Sequence, residues 1–386
     1  MIYSIPYVAL LLLFGFLAVY SYNHRDDEAK RRNVGIWCAL IFLFFFGSRG
    51  FTCDDWINYY PAFQKCSFEY VNFNVFEYNI KWGFEPGFTL LMYLCKIVVD
   101  DYHFFVFICT LINTLLIFNF LYKRVENIPL GFILFLSFGG YEMSTNLMRN
   151  SIAILIFVNA LIYVEKRKPL QYFGLCLLAL SFHLSAIMYF PLYFFFHKQC
   201  NKWVYLALFA VGNIVFLLHI PIFLKLVSLF FDDVGGALQM KVYTYTTSSD
   251  LAEMKTLSIG YLERLFTGIL VFCYYGKLVD LKEGNKVFIN ALLCYFLAFF
   301  LFSEFGEISD RLSILFVFGY WVIWNDLIKC FFIENNKKLF LAFISIYVVM
   351  KMVGSTNMIT SEYDNVLFGA KSYEERLYIH NRYSVE

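Results

Sequence analysis

The stretch Phe104–Arg124, FFVFICTLINTLLIFNFLYKR, decides the fold. No charge interrupts its apolar residues at helical spacing until Lys123 and Arg124 end the run. In hydrocarbon every backbone group must be bonded within its own segment, so such a run reads as a spanning helix closed by a basic pair. Similar runs cover Tyr7–Val19, Ile152–Val164, Trp203–Leu218 and Phe340–Met350. The 386 residues are 60% hydrophobic and 22% aromatic, well above the roughly 45–50% apolar content of a soluble domain. An outer-membrane barrel would need alternating segments of about ten residues, which are absent.

Basic residues then orient the chain. They gather in Arg25/Lys30/Arg31/Arg32, Lys123/Arg124, Lys166/Arg167/Lys168, Lys198/Lys202, Lys277/Lys282/Lys286 and Lys329/Lys337/Lys338. Placing these loops in the cytoplasm puts both termini outside and requires about twelve crossings. The crossings fall at 2–20, 34–48, 103–121, 129–142, 149–164, 170–182, 184–196, 203–219, 258–276, 287–303, 311–328 and 338–353. Gly87–Val99 is apolar but short, and a crossing there would carry Lys123/Arg124 outside, so it is expected as an outer re-entrant or interfacial helix. Pro86 suits its first helical position, and Glu85 faces its positive end. The fold class is therefore an all-α polytopic membrane protein, with residues 1–386 a single transmembrane domain. Its outer loops are 49–85 and 221–257, and its outer tail is 354–386.

Net charge is +1, so nothing draws the chain to nucleic acid. The His and Cys residues show no metal spacing; Cys38, Cys109, Cys176, Cys273 and Cys294 lie inside apolar runs. Cys53 and Cys66 share one outer loop, where a disulfide is one option. Met1–Tyr20 lacks a basic n-region and a cleavage site and is expected to be a retained first span. P-loop, GxSxG, HExxH and cytoplasmic DxD patterns are missing, which argues against nucleotide-driven or metal-dependent chemistry.

The remaining ionisable groups collect on the outer side. Asp55 and Tyr59 lie one helical turn apart beyond Arg49. Asp55 is a proton acceptor, a carboxylate that holds the Arg in place, or a solvated loop carboxylate; Asp54 suits the last role. Arg149 opens a span after a very short turn. A planar cation there either meets phosphate or carboxylate oxygens or snorkels to the interface, and Arg49 has the same alternatives. His183, in Ser181-Phe182-His183-Leu184-Ser185, is either a hydrogen-bonded structural residue or a base for a sugar hydroxyl. Glu304, Glu307, Asp310 and Arg311 form a charged outer turn, where Asp310 and Arg311 are expected to pair unless Arg311 reaches a phosphate. Arg264 lies inside a span, beside a Glu263 that could neutralise it.

Arg49 with Asp55 and Tyr59, followed by Glu85-Pro86-Gly87-Phe88, Leu90 and Leu91, resembles the opening of the EpsG-type, Wzy-like polysaccharide polymerases. Arg149-Asn150-Ser151-Ile152-Ala153 resembles that family's Arg-Gln-x-x-Ala segment, with Asn150 in place of Gln. Phe182-His183-Leu184-Ser185-Ala186 resembles its Phe-His-x-Ser-Ala element, and Asp310-Arg311-Leu312 sits where a later Arg-containing span start is expected. Order and spacing agree up to about residue 200; beyond that the likeness is mostly hydropathy. The resemblance implies a metal-independent, inverting glycosyltransferase of the bacterial plasma membrane, acting at its outer face without a cofactor. It would join undecaprenyl-pyrophosphate-linked oligosaccharides, as donor and acceptor, into O-antigen, capsule or exopolysaccharide, and a chain-length regulator could be a partner.

In that chemistry a departing pyrophosphate needs cations. Arg149 is the first choice, with Arg49 or Arg311 assisting, and Tyr59 and Arg264 are further substrate contacts. For the base the order is His183, Asp55, Glu85. Two rivals differ in observable ways. A membrane O-acyltransferase draws its donor from the cytoplasm, and a flippase of the same lipid-linked sugar would carry charge along spans on both sides and show repeat symmetry. Most spans here are bare and no repeat appears.

Overall fold

A computed structural model describes residues 2–71, 84–222, 225 and 254–383. Among these residues it is helical, with no strand; an isolated bridge joins Arg49 and Asn365. The chain forms two compact units, Met1–Phe195 with Phe331–Glu386, and Phe196–Cys330. The expected outer loop 221–257 lies almost wholly outside the described residues, as do the middle of loop 49–85 and the end of the tail.

The first unit begins with α1 (Ile5–Asn23), α2 (Glu28–Gly47), α3 (Trp56–Lys65), α4 (Pro86–Val98), α5 (Tyr102–Arg124), α6 (Ile128–Phe135), α7 (Tyr141–Thr145), α8 (Met148–Glu165) and α9 (Pro169–Phe182). Local signals set these starts. Asp27, Asp101 and Asn127 accept backbone N–H groups of Lys30, Phe104 and Leu130 at 3.0, 2.9 and 3.1 Å, which caps α2, α5 and α6. Pro6, Pro86, Pro129 and Pro169 occupy first turns, where a missing N–H costs nothing. The core is built by α8 on α9, α2 on α5 and α1 on α6.

Charge sorts along individual helices. α2 runs from Lys30–Arg32 to Arg49 just past its end, and α5 runs from Tyr102 to Lys123/Arg124. α8 runs from Arg149 to Lys166 just past its end, and α9 runs from Lys168 just before its start to His183. α8 is about 27 Å long at 1.5 Å per residue, near the thickness of a hydrocarbon core.

The second unit holds α10 (Lys202–Leu217), α11 (Ile259–Cys273), α12 (Tyr275–Leu281), α13 (Asn285–Leu301), α14 (Gly306–Ser313) and α15 (Phe318–Cys330). α13 packs on α10, α14 and α15. The chain then re-enters the first unit with α16 (Glu334–Thr356) and α17 (Tyr373–Tyr383).

Among the described residues, four helical stretches are long and apolar enough to cross a membrane: Ile2–Asn23, Tyr102–Arg124, Met148–Glu165 and Glu334–Thr356. A fifth arises if Gly306–Phe316 and Phe318–Cys330, bent by 58°, form one span. Charge counting expects about twelve; several expected crossings, such as 170–182 and 287–303, fall on shorter apolar helices, Pro169–Phe182 and Asn285–Leu301. Two expected spans are irregular. The stretch 129–142 breaks after α6, where Gly139 takes φ +90°. Residues Leu184–Phe194 wind as a 3-10 helix containing Pro191.

The tail returns to the loop between α2 and α3. Val366 N–H donates to Ser48 O at 2.8 Å, Gly50 N–H to Asp364 O at 3.1 Å and Cys53 N–H to Thr360 O at 2.8 Å. Tyr373 stacks on Tyr60 with centroids 4.4 Å apart. Arg376, 2% exposed, pins this strap through Glu362 at 3.4 Å and Asp364 at 3.3 Å. Arg376→Ala is expected to loosen the strap, although Lys371 still holds Glu362 at 2.7 Å and donates its amide to Asp364 at 2.9 Å. It should speed proteolytic cleavage within residues 363–383, and unchanged protection would contradict the strap. Cys53 and Cys66 are free thiols, so the disulfide option is not taken up. Cys53 Sγ instead faces the Tyr141 hydroxyl at 3.1 Å.

Candidate functional site

Five of the residues singled out in the sequence meet in the first unit. Arg149, in the first turn of α8, sends Nη1 to Glu85 Oε2 at 2.6 Å and Nε to the Tyr59 hydroxyl at 3.2 Å. Its guanidinium also lies 4.7 Å from the Phe84 ring centroid. The side chain keeps 21% of its surface exposed, against 6% for Glu85. A charged group held this way is oriented and still reachable.

Glu85 Oε1 accepts the Leu184 N–H at 2.9 Å, so the carboxylate bridges Arg149 to the turn after α9. Both of its oxygens are engaged, and it stands at the N-terminal end of α4, as expected. The bridge depends on close backbone approach. A Cβ on Gly87 would lie 2.5 Å from Ser181 Oγ and 2.8 Å from Ser181 O, so only glycine lets the start of α4 touch the end of α9.

Tyr59 extends the chain of contacts. Its phenol is hydrogen-bonded to Asp55 as well as to Arg149. Burial first, then the Asp55 charge, pushes it well above its ordinary range, with Arg149 partly offsetting both. It therefore stays protonated, donating to Asp55 while accepting from Arg149. Asp55 ends the non-helical segment before α3, and Asn146 Oδ1 accepts the N–H groups of Asp54 and Asp55 at 2.9 and 3.4 Å. Asn146 was not a sequence candidate; an Asn just before Arg149, between two apolar helices, was the available signal. Asp54 is exposed and faces His380 at 3.2 Å.

His183 follows α9 in extended conformation (φ −156°, ψ 130°). Its Nδ1 lies 2.7 Å from Ser185 Oγ and 3.2 Å from Ser185 N. Ser185 Oγ lies 3.0 Å from Asn150 Oδ1, beside Arg149 on α8. The two segments singled out for Arg149 and His183 are thus directly tied.

Other candidates stand elsewhere. Arg49 is buried, donating to Phe46 O at 2.6 Å and Thr110 Oγ1 at 3.4 Å. In the second unit, Arg264 Nη1 donates to Gly260 O and Nη2 to the Tyr295 hydroxyl, both at 2.7 Å, over the Phe299 ring at 3.8 Å. Glu263 turns instead to Thr267 at 2.7 Å and Tyr320 at 3.3 Å. Adjacent helical residues point about 100° apart, which explains the separation. Arg311 pairs with Glu307 at 2.5 Å and Asp310 with Lys255 at 2.6 Å, in place of the Asp310–Arg311 pair expected. Among the described residues no group of three His, Cys, Asp or Glu is arranged to hold a metal.

What the first unit assembles is a carboxylate, guanidinium, phenol and second carboxylate in series, flanked by an imidazole. No curated protein and no solved structure matches the chain. The EpsG family model matches residues 33–367, which takes in every one of these site residues, and the chain belongs to the EpsG family.

Proposed function

We propose that this protein is a polysaccharide polymerase joining oligosaccharide repeats carried on undecaprenyl pyrophosphate at the outer face of a bacterial plasma membrane. EpsG membership supports the polymerase role and its glycosyltransferase-like chemistry. The observation that carries the reading is Arg149, fixed by Glu85 and Tyr59 yet partly exposed at the start of an apolar helix. A lipid pyrophosphate leaving at the membrane surface develops negative charge on its oxygens, and a preorganised guanidinium stabilises that charge.

The reaction balances as a single displacement. An acceptor hydroxyl at the non-reducing end of one lipid-linked glycan attacks the anomeric carbon of another. A carbon–oxygen bond forms as the bond to pyrophosphate breaks with its electron pair, and the hydroxyl proton passes to a carboxylate. Asp55 suits that last role, since Glu85 is committed to Arg149 and Leu184. Inversion and independence of metal follow from this scheme.

The placement of Lys and Arg clusters at one end of α2, α5, α8 and α9, with the site residues at the other, supports an outward-facing site in a chain of about twelve crossings with both termini outside. O-antigen, capsule and exopolysaccharide are all compatible products.

Purified protein given lipid-linked repeat units, with no ion gradient, is expected to build a glycan ladder and release undecaprenyl pyrophosphate. Absence of a ladder would defeat the polymerase reading, and gradient-dependent movement of the substrate would favour a flippase. Asp55→Asn should slow ladder formation about 10²- to 10³-fold with substrate binding retained. A full rate in that variant would remove Asp55 from the chemistry.

A further inference from the structure

The strap carries an apolar turn at the level where α2 ends. Val366–Phe368 winds as a single 3-10 turn. Asn365 Oδ1 caps it by accepting the Leu367 N–H at 2.9 Å, and Gly369 closes it in the left-handed region at φ +94°. Its three side chains are all apolar, with Leu367 67% and Phe368 80% exposed. Water disfavours such a cluster, and an exposed apolar patch marks a contact with a partner or a membrane.

Two observations favour the membrane. Trp37, Leu40 and Phe44 are exposed along α2 at three- and four-residue spacing, which makes them one stripe. α2 is expected to cross at 34–48, so this stripe faces acyl chains. The Phe368 ring meets the Phe44 ring with centroids 6.5 Å apart and so continues the stripe past the helix end. The second observation is in the backbone. Val366 N–H donates to Ser48 O at 2.8 Å, Leu367 N–H to Asn365 Oδ1 and Phe368 N–H to Asn365 O, both at 2.9 Å. A backbone entering hydrocarbon must bring its own partners, and all three amides of this turn have them. Tyr363 stands beside the turn as an interfacial aromatic, stacked on Phe45 at 4.2 Å and donating to Phe45 O at 3.0 Å.

We propose that the turn Val366–Phe368 is a membrane anchor, inserting Leu367 and Phe368 among the acyl chains of the leaflet at the Ser48 end of α2. The occupant of this surface is the bilayer itself. Burial of two large apolar side chains favours the inserted turn over a solvated one by more than about tenfold. The same strap fastens the segment that carries Asp55 and Tyr59, so the anchor sets the depth of that segment against the lipid surface. The proposal goes beyond the polymerase reading and is tested without turnover.

A photoreactive side chain reports what touches the turn. The full-length protein carrying Phe368→p-benzoylphenylalanine is placed in vesicles of phosphatidylethanolamine and phosphatidylglycerol and irradiated, and its adducts are identified by mass. The same substitution at Leu40, on the α2 stripe, and at Glu374, exposed on α17, gives the two references. The lipid adduct at position 368 is expected to approach that at Leu40 and to exceed that at Glu374 by about tenfold. A lipid yield at 368 no higher than at Glu374 would overturn the anchor, as would an adduct mainly with a second copy of the chain. Absence of lipid adduct at Leu40 would remove the membrane-facing stripe and the anchor with it. If the Phe368 variant does not fold, Leu367→p-benzoylphenylalanine reads the same turn with the same outcomes. A wild-type protein that makes no polymer, with strong lipid adduct at 368, would end the polymerase reading and leave the anchor standing.

Discussion

Arg149→Ala is expected to reduce polymer formation by about 10³-fold, leaving single repeat units on their lipid carrier. Loss of one preorganised group facing the developing charge typically costs 10²- to 10³-fold, and here the guanidinium also orders Tyr59 and Glu85. Truncation strands the Glu85 carboxylate, 6% exposed, which could disturb folding. The double variant Arg149→Ala/Glu85→Gln removes that stranded charge and should fold while staying inactive. Arg149→Lys keeps the charge but loses the planar fork that spans Glu85 and Tyr59, and is expected to lie about 10²-fold below wild type. Glycan ladders on gels and release of undecaprenyl pyrophosphate provide the measurement. Normal long chains from Arg149→Ala would refute the assignment.

Gly87→Ala, a change of one methyl group, is expected to cost about 10²-fold in rate, the usual consequence of misplacing a site by about 1 Å. The new Cβ would press on Ser181 Oγ and on the Ser181 backbone carbonyl. α4 would have to withdraw from α9, taking Glu85 from the Leu184 amide and loosening Arg149. Ser181→Ala removes the hydroxyl but leaves the carbonyl at 2.8 Å, so it should not rescue the variant. Full activity of Gly87→Ala would show that the Glu85 bridge is dispensable.

The residues that come together were easier to read from the sequence than the contacts they make. Arg149, His183, Glu85, Asp55 and Tyr59 stood out because charge at the ends of apolar runs is costly unless satisfied, and the first unit brings them together. Their pairing was not legible. Glu85 and Arg149 are 64 residues apart, and nothing local reveals that one carboxylate bridges two helices. Arg49 carried the same signature as Arg149, yet its guanidinium turns back to the Phe46 carbonyl. Asn146, Asn150 and Ser185 act through short polar contacts that composition cannot rank. Among the helices, the long run Phe104–Arg124 became one unbroken element, whereas Ser137-Phe138-Gly139-Gly140 marked a break that hydropathy alone passed over. The short turn between Phe182 and Ser185 was seen, but not its use as an anchor for both Glu85 and His183.

The strap formed by residues 357–376 reaches back to the segment 48–60 that carries Asp55 and Tyr59. On the ribosome these partners are separated by nearly the whole of translation. A nascent chain stopped before residue 357 would have its apolar helices in place and the segment 48–60 still unfastened. Synthesis itself thus sets the fastening of this segment last.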